Sequence, residues 1–241
     1  MKKYLIFILL NILLICGNAQ SFLPGDIIFN VNYGGPQITP VLLKTALNIY
    51  IKNKTNDDFT FNIKNSGVFN AKAEYAMMEN LGLGFAASYW NMSVAMQNNY
   101  IANDPVSGVA QSFVDNYLLT ISATAIGIRG NYHFVEELKA KKLDPYFGFT
   151  IGTTKYVYGL SFNSSYPDKQ TPETYNFFKT GYASRLLKSG FSSYFSSTFG
   201  IRYFPVKYLG INLEAGWDRG AFLFGGLAFK LHTKPIKEFN D

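Results

Sequence analysis

The sequence predicts an all-β protein, an eight-stranded antiparallel up-and-down transmembrane β-barrel with a short helix in its first long loop. Three observations predict it. Segments of about ten residues alternate apolar side chains with small or polar ones, the period-two signature of strands. The links between these segments alternate long and short, as in a meander whose hairpins open on two opposite sides. The chain also opens with an export signal, and no cysteine follows it, so no disulfide staples the exported domain.

The signal is read from its parts. Lys2 and Lys3 precede an apolar run at 4–15, interrupted only by Asn11. Gly17, Asn18 and Ala19 supply the small residues that a signal peptidase reads, which puts cleavage after Ala19. The run is shorter than the roughly 20 residues of a spanning helix. Cys16 leaves a lipoprotein signal as the lesser alternative, weakened by the bulky Ile15 before it. The expected organisation is therefore a signal peptide at 1–19, a barrel at 20–231 and a short polar tail at 232–241. Loss of Lys2 and Lys3 takes the formal charge from +6 to +4. That is too mild a surplus to imply nucleic acid.

The strands follow in order. Residues 26–33 set Ile27, Phe29, Val31 and Tyr33 against Asp26, Ile28, Asn30 and Asn32, and Gly34-Gly35-Pro36 ends the run. Residues 39–51 carry a mostly apolar helical pattern, with Pro40 in its first turn and Ile51 at its end. The polar stretch after it makes 34–66 one long loop. Residues 68–77 oppose Phe69, Ala71, Ala73 and Tyr75 to Asn70, Lys72 and Glu74, and 83–92 put Leu83, Phe85, Ala87 and Tyr89 on one face. A second long loop is expected at 93–117. The fourth strand, 118–134, sets Ile126, Ile128 and Tyr132 against Arg129 and Asn131; after a charged link at 135–144 the fifth, 146–158, sets Phe147, Phe149 and Ile151 against Gly148 and Thr150. A third long loop at 159–189 includes Tyr166, Tyr175, Phe177, Phe178 and Tyr182. The sixth strand, 190–204, opposes Phe195, Phe199, Ile201 and Tyr203 to Ser196, Thr198 and Arg202. The hairpin at 209–231 closes the set: Leu213 and Trp217 oppose Glu214, Leu227 and Phe229 oppose Lys230, and a tight Asp218-Arg219-Gly220 link joins its arms.

Lipid rather than a core accounts for the apolar faces. A soluble barrel would turn its aromatics inward and carry charge outside. Here the apolar faces are nearly free of charge through their middles and end in Tyr, Trp or Phe, as a hydrocarbon band between aromatic girdles requires. The opposite faces hold Gly, Ser, Thr and Asn with single ionisable residues, enough to fill an eight-stranded interior. Closure satisfies the strand edges, which lipid cannot.

With its signal, strand pattern, RGNYHF segment (129–134) and LEAGW…GGLAFKL hairpin, the chain resembles the small eight-stranded outer-membrane β-barrels, the broad group of OmpW-like, OmpX-like and OmpA-transmembrane-like proteins. The resemblance covers roughly 26–231. It implies short periplasmic links, long extracellular loops, an outer-membrane location, surrounding outer-membrane lipid and insertion by the barrel-assembly machinery. Members often end on an aromatic residue; here a tail follows, and Phe229 stands in for it.

The polar faces put Asp26, Lys72, Glu74, Arg129, Arg202, Glu214 and Lys230 in the lumen, with Asp218 at its outer rim. Closure of the last strand on the first brings Lys230 to Asp26. The 205–208 turn sets Arg202 and Glu214 about one diagonal step apart. These charges either satisfy one another and plug the barrel or line a narrow gated path. Catalysis finds no foothold. The two histidines, His133 and His232, fall at the periplasmic ends of strands, away from outer-leaflet lipid. No metal-ligand spacing appears, and no cofactor is implied. The expected protein is a non-enzymatic barrel whose loops meet a surface or partner. The alternatives are a porin-like narrow channel for small molecules, apolar ones included, and a subunit of an envelope or secretion assembly.

Overall fold

The computed structural model describes residues 22–54, 58–134, 142–166 and 191–232. Strands β1 (Asp26–Gln37), β2 (Asp58–Ala76), β3 (Leu81–Asn103), β4 (Ala110–His133), β5 (Leu143–Ser164), β6 (Phe191–Val206), β7 (Leu209–Asp218) and β8 (Ala221–His232) form a closed barrel, each antiparallel to its neighbours in sequence. Helix α1 (Ile38–Lys54) follows β1. At the seam Phe29 faces Phe229, Ile28 faces Lys230 and Asp26 faces His232. The expected signal peptide, residues 135–141 of the expected 135–144 link, most of the 159–189 loop and the tail from 233 lie outside the described residues.

Alternation decides what each side chain meets. Ile27, Phe29, Val31 and Tyr33 look outward from β1, while Asp26, Ile28, Asn30 and Asn32 are buried inside. The same division runs around the wall, and its outward apolar belt includes Phe85, Ile128, Ile151, Phe199, Leu213 and Leu227. On β3 the belt runs from Leu81 to Tyr89, the length a tilted strand needs to cross hydrocarbon. Tyr33, Phe69 and Tyr89 are register neighbours at its upper edge; Tyr132 and Phe147 mark the lower one.

The expected long loops at 34–66 and 93–117 are corrected. β2 begins at Asp58, β3 reaches Asn103, β4 begins at Ala110, and β5 runs through Ser164 into the third expected loop. The four strands project well above the belt as one sheet. Their polar content disguised them, because alternation persists there with its sense reversed. In the projection Phe61, Val94, Met96, Tyr117, Leu119 and Phe162 face inward, while Asn62, Ser93, Gln97, Asn116 and Asn163 face out. Water bathes the outside above the membrane, so the apolar side turns in. A bulge between Asn65 and Val68, with Gly67 at φ 72°, marks where β2 leaves β1. α1 packs Leu43 and Leu47 against the inward face, and its Ile38 N–H donates to Gly220 O at 2.9 Å.

Candidate functional site: the barrel interior and its cover

At the end where β1 begins and β8 finishes, Asp26 receives Lys230 at 3.7 Å and lies 2.7 Å from His232 Nδ1, tying β1 to β8 across the seam. His232 is therefore the last residue of β8 rather than the first of a tail. Phe22 turns back into this end and stacks on His133, with centroids 3.6 Å apart.

Above it, one side chain from each of four strands forms a ring. Arg202 of β6 donates to Glu74 of β2 at 2.5 Å and to Asp144 of β5 at 3.0 Å. His133 of β4 closes the circuit, Nδ1 lying 2.5 Å from Asp144 and Nε2 2.6 Å from Glu74. Carboxylates only accept, so both ring nitrogens donate and the imidazole is cationic. Two cations then balance two anions inside the wall, which buried charges require.

The next layer centres on Glu214. It pairs with Lys72 and lies 3.5 Å from Arg129 Nη2, and Tyr146 donates to it at 2.6 Å. The Tyr146 ring carries the Arg202 guanidinium at 4.2 Å. Arg129 also donates to Thr198 at 2.9 Å. A carboxamide chain then spans the interior: Asn212 donates to Asn32 at 2.8 Å, Asn32 to Asn70 at 2.9 Å, and Asn70 to Asp218 at 3.3 Å. Tyr194 closes it on Asp218 at 2.7 Å.

A turn covers the stack. Arg219 (φ 55°) and Gly220 (φ 75°) form the two-residue hairpin link of β7 and β8, a type I′ geometry. The Arg219 side chain bends across the mouth, donating to Ser88 at 2.9 Å and Thr154 at 2.6 Å over the Tyr194 ring. Val68, Trp90, Met92 and Phe224 then form an apolar layer beneath α1.

Each charge read from the sequence as luminal is buried: Asp26, Lys72, Glu74, Arg129, Arg202, Glu214 and Lys230. Lys230 meets Asp26. The expected Arg202–Glu214 partnership is corrected. Arg202 stands opposite Asn212 in register and reaches across the lumen to β2 and β5 instead, because the interior of a narrow barrel puts distant strands within an arginine's span. His133 and Asp144, expected at a strand end and in a link, both stand inside. Extending the parity of Arg129 and Asn131, or of Tyr146 and Gly148, by one further step would have found them. Arg219 had no such signal, since its role depends on a turn.

Small residues make the room. A Cβ on Gly200 would lie 2.3 Å from the Tyr146 ring, and one on Gly148 would lie 2.0 Å from Arg129. Gly200→Val is expected to cost about 1–3 kcal/mol through overpacking, read as a lower urea midpoint of the vesicle-embedded protein.

A charge-balanced interior inside a closed, lipid-facing wall decides the class. The chain is an outer-membrane β-barrel. No family model matches it, and no curated protein matches it in sequence. Solved structures do resemble it. OprG from Pseudomonas aeruginosa is 10% identical with a TM-score of 0.46, the match covering 89% of this chain and 99% of that one. The N-terminal β-barrel domain of Pseudomonas aeruginosa OprF is 10% identical with a TM-score of 0.35, covering 86% and 98%. Ail of Yersinia pestis, in complex with the heparin analogue sucrose octasulfate, is 8% identical with a TM-score of 0.37, covering 87% and 100%. These likenesses concern the fold alone.

Proposed function

We propose that this protein is a non-enzymatic outer-membrane barrel that does not conduct, and that its work is done by the sheet and helix it holds above the membrane. The carrying observation is the ring of Arg202, Glu74, His133 and Asp144, which bridges four strands across the lumen. A barrel used as a pore would have little reason to spend that many buried charges on one another. Both histidines are engaged by carboxylates near the periplasmic end, which speaks against a role in lipid chemistry at the outer leaflet. The β3–β4 hairpin meanwhile exposes Ile101, Val106 and Val109 at its tip, and exposed apolar groups far from lipid favour contact with a partner. Insertion by the barrel-assembly machinery, with Phe229 as the last-strand aromatic, belongs to the same reading.

One observation favours the narrow-channel alternative. Buried polar atoms of Asn30, Asn131 and Ser196 have no hydrogen-bond partner among the described residues, as a file of water would supply. Conductance separates the two. Chain 20–241 refolded into a planar bilayer is expected to give no steady single-channel current. A steady current that rises in Glu214→Ala would overturn the filled-lumen reading.

A further inference from the structure

On the projecting sheet, the outward face of β2–β5 carries a trough of about 560 Å³ that crosses all four strands. Thr60, Gln97, Asn116 and Asn163 stand in one register row and form its upper wall. Asn62, Ala95, Leu118 and Ser161 stand in the row two residues below and form its lower wall. Between them runs the row of Phe61, Met96, Tyr117 and Phe162, whose side chains turn to the inward apolar face, so the floor is backbone. All the wall residues are exposed. Strands about 4.8 Å apart make the trough roughly 14 Å long, and successive outward residues set its walls roughly 7 Å apart.

The two walls differ. The upper one is polar from end to end. The lower one is polar at its ends and apolar in the middle, where Ala95 and Leu118 adjoin. Neither carries a charge; on β2 the neighbouring outward residues are Asp58 above and Lys64 below. Among the described residues, the side chains of Thr60, Asn62, Asn116, Ser161 and Asn163 make no hydrogen bond. Gln97 is held from within the sheet: its amide donates to Asn99 at 3.1 Å, and Asn99 donates to Asp58 at 3.4 Å. That chain engages the donor end of Gln97 and leaves its carbonyl oxygen to accept.

These features select among ligands. An anion or a cation finds no partner in the walls. An extended peptide docks by pairing with a strand edge, whereas this trough lies on the face of strands that are already paired. An apolar ligand would cover Ala95 and Leu118 but leave the carboxamides beside it without partners. A sugar has hydroxyls around its rim, which both donate and accept as the walls do, and C–H groups on its faces to lie on Ala95 and Leu118. Ala95 also stands roughly 20 Å of strand above Tyr89 in the girdle, beyond the headgroups of the bilayer.

We propose that this trough binds an uncharged, unbranched glycan that is not part of the surrounding membrane, a short run of its sugar units lying across β2–β5. The proposal rests on the reading that the sheet above the membrane does the protein's work, and names a ligand class for it.

The test is a ligand-observed NMR titration of the folded barrel in phosphatidylcholine nanodiscs. The probes are cellotetraose, maltotetraose, mannotetraose and N-acetylchitotetraose, with sulfated maltotetraose as the charged control. At least one uncharged sugar is expected to bind about tenfold or more tighter than the sulfated one. Gln97→Ala with Asn116→Ala, which removes the middle of the upper wall, is expected to weaken that sugar about tenfold. Ala95→Leu, which narrows the trough, is expected to weaken it by a similar factor. Lys64→Gln, outside the walls, is expected to leave it unchanged. All four side chains are exposed, and heat-modifiable migration verifies that the variants fold. Uncharged sugars that bind no tighter than the sulfated one, or wall variants that bind like the parent, would overturn the site. Loss of the signal in nanodiscs containing lipopolysaccharide would also overturn it, since the surrounding leaflet would then fill the trough. A conducting lumen overturns the reading above and leaves this titration unchanged, so the two fail separately.

Discussion

Arg202→Ala is expected to lower the unfolding free energy by about 3–5 kcal/mol, the cost of leaving buried carboxylates without their cation. The guanidinium serves Glu74 and Asp144 at once and lies over the Tyr146 ring, so its loss strands two anions and opens space beside an aromatic. His133 alone would then face both carboxylates. The measurement is urea unfolding in lipid vesicles followed by tryptophan emission, to which both Trp90 and Trp217 report. Neutralising the stranded anions should restore part of the loss: Arg202→Ala with Glu74→Gln and Asp144→Asn is expected to be more stable than Arg202→Ala alone. If the single variant unfolded like the parent, the ring would carry no stability and the filled lumen would need another explanation.

Ile128→Arg is expected to cost about 2–4 kcal/mol, the penalty of a charge facing the middle of the bilayer. Leu118→Arg, on the same outward face of the same strand, is expected to change stability by under about 0.5 kcal/mol. Both side chains are exposed, Ile128 at 61% and Leu118 at 41%. Exposure therefore does not distinguish them; the medium does. Leu118 stands in the row of Asn62, Ala95 and Ser161, above the belt, where the outward face meets water. The same urea series reads both variants. Equal penalties would mean that the projecting sheet is also immersed, and the boundary drawn from the reversed alternation would be wrong.

That reversal explains where the sequence was legible and where it was not. Along most of β1, β7 and β8 the inward and outward assignments follow from a period of two with apolar residues outside, and Glu214 and Lys230 point inward as that period requires; Ile28 and Phe224 are apolar yet buried inside, and Phe222 and Leu223 are both exposed. Between 93 and 117 the period continues, but the surroundings exchange roles, so Val94, Met96 and Tyr117 belong to an inside and the polar residues between them to an outside. Composition reads such a stretch as a loop, because polar content dominates and nothing local announces the height at which lipid gives way to water. The strand length could have been found from alternation alone. Its sense could not.

The lumen divides in a similar way. Membership follows from parity, which is a property of one strand. Partnership depends on which strands face each other across a closed ring, and that depends on strand number and stagger together. Lys230 and Asp26 could be paired in advance because closure makes their strands neighbours. Arg202 with Glu74 could not, since their separation of 128 residues carries no local trace.

The sequence by itself determined that the chain is built of alternating strands, apolar toward lipid and polar within, with Glu214 and Lys230 inside the closing hairpin. Periodicity and solvent preference are local, and they suffice for that. The tertiary structure alone decided which charges meet, that Arg219 arches over the mouth, and that β2–β5 extend above the belt as one sheet with its apolar side turned in. Those features come from side chains that closure and strand extension bring together from distant parts of the chain, and distance along a sequence does not encode distance across a barrel.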